Sequence, residues 1–157
     1  MSMGRISTVT ISGVASPAAA FDFLELVPAT AKPICIHRIR IAQTTEPTTE
    51  EEQLALTVVR GHATSGSGGD TTPDGGMLVS TDTAIGYTAE TMNTTIASTG
   101  TPVNLIEDAW NTRAGCDIAF SPEERPWAVN GERIVIRSGA PADAVTIRAT
   151  FWVEEMG

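Results

Sequence analysis

The sequence is short of lysine: Lys32 stands alone beside nine arginines in 157 residues. Charged residues make up 18 % of the chain, below the ~25 % usual for a soluble domain. The balance is a net charge of −9, which excludes a protein whose main work is gripping nucleic-acid phosphates. Aromatic residues are few: Phe21, Phe23, Phe120, Phe151, Tyr87, Trp110, Trp127 and Trp152. That is too sparse for a carbohydrate-stacking platform to be the first reading. No apolar run approaches the ~20 residues of a membrane helix. The opening Met-Ser-Met-Gly-Arg is not followed by a secretory apolar core, so the expectation is a protein made in a cytosol and kept there or assembled there into something larger.

Two cysteines, Cys35 and Cys116, cannot make a disulfide framework. They read as buried thiols, with a Cys35–Cys116 bridge as the alternative in an oxidising setting. Catalytic signatures are missing too. There is no G-x-S-x-G elbow, and the glycine-rich stretch lacks the lysine of a phosphate loop. Cys35, His37, His62 and Cys116 offer four zinc donors, but no pair has C-x₂-C or H-x₃₋₅-H spacing. Only Cys35 and His37, two apart on one strand face, favour such a site. Asp70 and Asp74 could ligate a hard cation, but the EF-hand order is absent. The acidic groups at 50–52 and 123–124 read as solubilising charge, because glycosidase carboxylates come from separate strands facing one cleft. No cofactor is expected.

What the chain does have is threonine, 22 residues of it, with 41 % apolar residues. That is enough apolar material for one packed domain at this length. Val, Ile and Thr outweigh Glu, Lys and Leu, which argues for strands over a helical bundle. Strands are predicted at 5–12, 21–27, 33–42, 54–60, 103–106, 116–120, 132–138 and 144–154. Residues 77–79 read as a short strand and 84–97 as a Thr-rich one. In 21–27, Leu24 and Leu26 fall on one face and Phe21 and Phe23 on the other. In 33–42, Cys35, His37, Ile39 and Ile41 share a face. In 144–154, Val145, Ile147, Ala149, Phe151 and Val153 point inward, and Arg148, Trp152 and Glu154 outward.

Turn signals separate these strands. Asn130-Gly131 is a hairpin signal, 107–113 reads as a turn, and two prolines bar regular pairing over 121–127. Residues 61–76, rich in glycine, read as a long loop or exposed arm. The sum is an all-β chain, an antiparallel sandwich or jelly roll in one domain spanning 1–157.

Outward Trp and Arg side chains suggest covered surface, since interfaces favour both. The candidate contact residues are Arg5, Ile6, Val9, His62, Asp70, Asp74, Trp127, Arg148 and Trp152. Residues 5–12 form a candidate arm for strand addition to a neighbour.

Four stretches carry a resemblance: FDFLELVPATAKPICIHRIRIAQ, LALTVVRGHATSGSGG, NTTIASTGTPVNLIEDAWNTR and GERIVIRSGAPADAVTIRATFWVEE. Together they resemble small virion structural proteins of tailed bacteriophages, most of all capsid decoration (cement) proteins. The resemblance implies a β-rich, often trimeric protein on the capsid exterior, clamping copies of the major capsid protein and bound to neither nucleic acid nor membrane. A tail, head–tail connector or fibre-base protein is the second expectation. A carbohydrate- or Ca²⁺-binding sandwich is the third, and an enzyme is not expected.

Overall fold

A computed structural model describes residues 4–45 and 52–157. Eleven strands are formed among them: β1 (Arg5–Ala15), β2 (Phe21–Val27), β3 (Ile34–Gln43), β4 (Gln53–His62), β5 (Gly75–Met77), β6 (Thr88–Asn93), β7 (Val103–Asn111), β8 (Cys116–Ala119), β9 (Trp127–Ala128), β10 (Arg133–Ser138) and β11 (Thr146–Glu155). No helix among the described residues is long and apolar enough to cross a membrane.

The strands form two antiparallel sheets packed as a sandwich. Sheet A runs β5-β1-β11-β3-β8, with β9 also paired to β3; sheet B runs β6-β2-β10-β4-β7. The pairings are nested. β4 pairs β7, β3 pairs β8, β2 pairs β10 and β1 pairs β11. The long ribbon so made is wrapped so that β11 also meets β3 and β10 also meets β4. Four strands in each sheet, ordered this way, are a jelly roll. β5 and β6 lie in the connection between β4 and β7 and extend one edge of each sheet.

The core lies between the sheets. Phe151, Ile39 and Ile41 of sheet A, with Leu24, Ile134 and Ile136 of sheet B, are almost wholly removed from solvent. Phe23 packs edge-on against Phe21 (4.7 Å between centroids) and Trp110 (5.6 Å). Trp110 donates its indole N–H to Ser138 Oγ (3.1 Å), so its polar end is satisfied inside the core. The inward set of β11 is as predicted: Val145, Ile147, Ala149, Phe151 and Val153 are all buried.

Two β-bulges change which residues share a face, because one extra residue resets the two-residue period. In β2, Asp22 pairs Arg137 and Leu24 pairs Ile136, leaving Phe23 as the extra residue. Phe21, Phe23, Leu24 and Leu26 therefore all belong to the core cluster, not to opposite faces. Asp22 and Glu25 turn to the outer side and meet Arg137 and Arg133. In β3 the register shifts between Ile36 and Arg38, leaving His37 extra. Ile34, Ile36, Ile39 and Ile41 all join the core. Cys35 and His37 share the outer face with Glu154 rather than a face with Ile39 and Ile41.

Other segments also depart from expectation. β7 continues to Asn111 through residues predicted as a turn, because its pairing with β4 runs on to Gln53. The turn comes later, where Gly115 N–H donates to the Asn111 carbonyl. Within 84–97 only Thr88–Asn93 is strand, and the predicted 77–79 strand is Gly75–Met77. Asn130-Gly131 does form a turn, with Gly131 at φ 87°. It joins β9 of sheet A to β10 of sheet B, so it is a crossing between sheets and not a hairpin. Trp127 and Ala128 pair with β3 despite the prolines.

Residues 61–76 form a long, largely exposed loop, but not a free arm. Isolated bridges pair Thr64 with Ser98, Ser67 with Thr95 and Asp70 with Thr91. This irregular ribbon lies over the outer face of sheet B. Glycine permits the close approach: a Cβ on Gly66 or Gly69 would collide with the backbone and side chains of residues 91–95. The ribbon is held by buried charge. Glu25 accepts hydrogen bonds from Ser65 Oγ (2.6 Å), Gly66 N (2.9 Å), Asn93 Nδ2 (3.3 Å) and Arg133 Nε. Asp22 accepts from Ala97 N (2.7 Å) and Arg137 Nε (2.6 Å). Arg137 and Arg133 donate onward to the carbonyls of Ala97, His62 and Ala63. Unpaired, these buried carboxylates would oppose folding; paired, they bind a glycine-rich segment that has no large apolar residue of its own to bury.

Candidate functional site

The ribbon covers the β2–β10 part of sheet B's outer face, while Ala55, Glu107 and Ala109 of β4 and β7 stay exposed. Among the described residues, two other surfaces collect aromatic, basic and chemically reactive side chains. The first is the outer face of sheet A, built from β1, β3 and β11. The second is the open side of the sandwich, between β7 of sheet B and β8–β9 of sheet A.

Alternation along β11 places Arg148, Thr150, Trp152 and Glu154 outward. Arg38 of β3 lies directly across from Trp152. Its guanidinium sits over the Trp152 ring (5.3 Å to the centroid) and its Nε donates to Asp117 Oδ1 (2.7 Å). The exposed Arg38–Asp117 pair holds the Asp117 carboxyl below the ordinary carboxylate range, through hydrogen bonding first. Thr10, Ser12, Arg40, Ala42, Arg148 and Trp152 line a shallow groove of about 530 Å³ here. Arg40 and Arg148 are exposed. An acidic chain thus presents a basic, aromatic strip on one face.

At the other end of the same face stands a polar cluster. His37 Nε2 is hydrogen-bonded to Glu154 Oε2 (2.6 Å), and the Cys35 thiol donates to the same oxygen (3.7 Å). Arg125 Nη1 lies 3.9 Å from it. Cys35 is fully buried. Burial, and then the Glu154 charge, push its thiol up to about 12. Among the described residues these three groups have ligand atoms within 4.8 Å of one another. The predicted zinc donors are therefore only half assembled. His62 lies at the other sheet, buried, its Nδ1 3.3 Å from the Thr99 carbonyl oxygen. Cys116 sits on β8 opposite Ile41, and both cysteines are free thiols. Glu154 completes the trio in their place. The sequence signal for it was its outward position on β11, two residues past Trp152 on the same face.

The open side holds Trp127, 36 % exposed. Its carbonyl accepts from Arg60 Nη1 (2.9 Å). Arg60, Leu105, Ile106, Pro126 and Trp127 line one groove of about 240 Å³. A second of about 440 Å³ continues it through Leu105, Ile106, Ile118 and Phe120. Val103 and Val129 add further exposed apolar surface. Both strands bordering this side, β7 and β8, are sheet edges.

The remaining contact candidates fare differently. β1 is an interior strand between β5 and β11, so it is not an arm free to pair with a neighbour. Val9 is 3 % exposed and belongs to the core. Arg5 is paired with the buried Glu155 and donates to the Thr83 and Ala84 carbonyls. Ile6 is half-buried. His62, Arg5 and Val9 thus serve the fold. Asp70 and Asp74 are exposed; Asp70 shapes a turn, and the Asp74 backbone ties the approach to β5 onto β1. Asp70 Oδ1 accepts from Thr72 N (2.9 Å), and the Asp74 carbonyl accepts from Thr10 N (2.8 Å). Their carboxylates are not gathered with other ligand groups among the described residues. Glu52 caps a loop by accepting from Ala142 N (2.8 Å), while Glu50 and Glu51 lie outside the described residues. Trp127, Arg148 and Trp152 are the candidates that lie on the two surfaces described above, while Asp70 and Asp74 are exposed away from them.

Comparison with protein-family models, with curated protein sequences and with solved structures finds no match.

Proposed function

We propose that this chain is a structural virion protein that binds the outer surface of a bacteriophage capsid as a decoration protein, acting as a homo-oligomer, with a trimer the expected form. The observation that carries the reading is the open side of the sandwich. Trp127, Leu105, Ile106, Ile118 and Phe120 form a continuous apolar groove flanked by two sheet edges. An aromatic anchor in an apolar setting, rimmed by Arg60 and Glu124, is the composition of an interface centre. The basic strip of Arg40, Arg148 and Trp152 offers a second contact on a different face, and a subunit that clamps neighbours needs two. Each contact can be weak, because many copies act together on a lattice. The jelly-roll frame supports the reading by giving rigid faces, and the sequence resemblance supplies the capsid as partner.

The test is co-sedimentation of the purified protein with capsids stripped of it, followed by electron cryo-microscopy. Saturable binding with repeating density on the shell is expected. Trp127→Ala and Leu105→Asp should weaken that binding at least tenfold. Density confined to a tail or connector ring would replace this reading with that of a connector protein. No density on the particle overturns both.

A further inference from the structure

We propose that Cys35, His37 and Glu154 form a zinc site on the outer face of sheet A, with three protein ligands and one position open to water. Cys35 pairs Glu154 across the β3–β11 seam, and His37, two residues on, shares its outer face; the β-bulge at His37 turns Ile39 and Ile41 inward, so the polar pair is set apart from the core. A tetrahedral ion bonded at ~2.0–2.3 Å needs ligand atoms about 3.3–3.6 Å apart. Cys35 Sγ and Glu154 Oε2 already stand 3.7 Å apart. His37 Nε2 and Glu154 Oε2, now hydrogen-bonded at 2.6 Å, need to open by roughly 0.7 Å to reach that spacing. The donor set of one sulfur, one imidazole nitrogen and one carboxylate oxygen suits zinc better than the hard cations magnesium or calcium.

The surroundings allow the exchange of proton for metal. His37 and Glu154 side chains keep 19 % and 12 % exposure, so the site has an outward entry. On binding, the Cys35 S–H bond breaks, the proton leaves to solvent and a Zn–S bond forms. His37 ligates as the neutral imidazole with its proton on Nδ1. Arg125, whose Nη1 is 3.9 Å from Glu154, faces the cluster from residues 121–126. Its charge favours the thiolate. Its buried Nε has no hydrogen-bond partner. The bound ion would fasten the bulged register of β3 to β11.

The test is titration of the metal-free full chain with Zn²⁺ against a chromophoric chelator, with Co²⁺ as a spectroscopic probe. One equivalent of zinc per chain is expected. Cobalt is expected to give a thiolate-to-metal charge-transfer band and the visible spectrum of a tetrahedral site. Cys35→Ser, His37→Asn and Glu154→Gln should each weaken zinc binding at least tenfold, with circular dichroism checking that they fold. Cys116→Ser and His62→Asn, outside the cluster, should not weaken it. The cobalt spectrum needs no variant, so misfolding of a variant leaves the proposal testable. Failure of the wild-type chain to compete for zinc at micromolar concentration would overturn it. So would a cobalt complex without the thiolate band, or affinity unchanged in Cys35→Ser and His37→Asn. Capsid binding is a separate readout, so either proposal can fail alone.

Discussion

Replacing Glu25 by alanine should unfasten the glycine-rich ribbon from sheet B. Glu25 is 1 % exposed and accepts hydrogen bonds from Arg133, Ser65, Gly66 and Asn93. Alanine deletes the acceptor and leaves the Arg133 guanidinium facing a void. Removing one partner of a buried ion pair costs about 3–5 kcal/mol, most of it the penalty on the charge left behind. For a chain of this length each kcal/mol lowers Tm by ~2–4 °C, so a drop of about 6–20 °C is expected. Glu25→Gln keeps an acceptor oxygen and loses only the charge, so its loss should be smaller, about 1.5–3 kcal/mol. Denaturant melts give the global cost. Hydrogen exchange gives its location: amides of residues 64–70 and 94–98 should lose protection before those of β10 and β11. A loss below ~1 kcal/mol in Glu25→Ala, the scale of a surface ion pair, with unchanged exchange at 64–70, would refute the claim that buried charge holds this segment down.

Four further outcomes are expected. Trp110→Ala, which empties a fully buried site and strips Ser138 of its indole donor, should cost about 3–5 kcal/mol in equilibrium unfolding. Gly75→Ala should cost more than Gly131→Ala, compared by Tm. A Cβ at Gly75 would overlap the Thr8 carbonyl oxygen that β5 lies against, while Gly131 has open space and only the strain of φ 87°. The thiols should make the fold less stable in alkali. Burial pushes Cys35 up to about 12 and Cys116 up to about 11 from an ordinary 9.0. The folded chain then holds protons that the unfolded chain releases, so this contribution is fully present below pH 9 and is lost as pH rises towards 11–12. Alkylation of the folded chain at pH 8 should be slow beside that in urea, since a thiol of pKa about 11 is roughly one part in a thousand thiolate there.

The layered all-β architecture could be read from alternation because most strands have one face on the core. β11 shows it best: its inward residues are apolar without a break from Val145 to Val153. What escaped was local and had a common cause. The bulges at Phe23 and His37 shift the period by one residue, and nothing in FDFLELV or ICIHRIR marks where. Both segments carry apolar residues on both of their simple faces, which hides the reset. The ribbon escaped for a different reason. Its glycines look like freedom when read alone, but they are what lets the backbone lie flat on sheet B. The partners that fix it, Glu25 and Asp22, are some forty to seventy-five residues away in sequence. The polar cluster was half legible: Cys35 and His37 announced a shared face, whereas Glu154 could be joined to them only by knowing that β11 pairs β3. Arg148 and Trp152 were readable as outward from the alternation of 144–154, whereas Trp127, between prolines and a turn, had no period to place it.

The nested pairing sets an order of events for a chain made from its N-terminus. The central position of sheet A, between β1 and β3, belongs to β11; that of sheet B, between β2 and β4, belongs to β10. Until residues 133–155 have left the ribosome, β1 has no partner but the three-residue β5, and β2 and β4 have only the edge strands β6 and β7. A nascent chain therefore waits with two half-built sheets, each with a gap in its middle. Among the described strands, β10 and β11 then close both sheets at once, and through Glu154 and Glu155 β11 completes the polar cluster and the anchor of Arg5 in the same step.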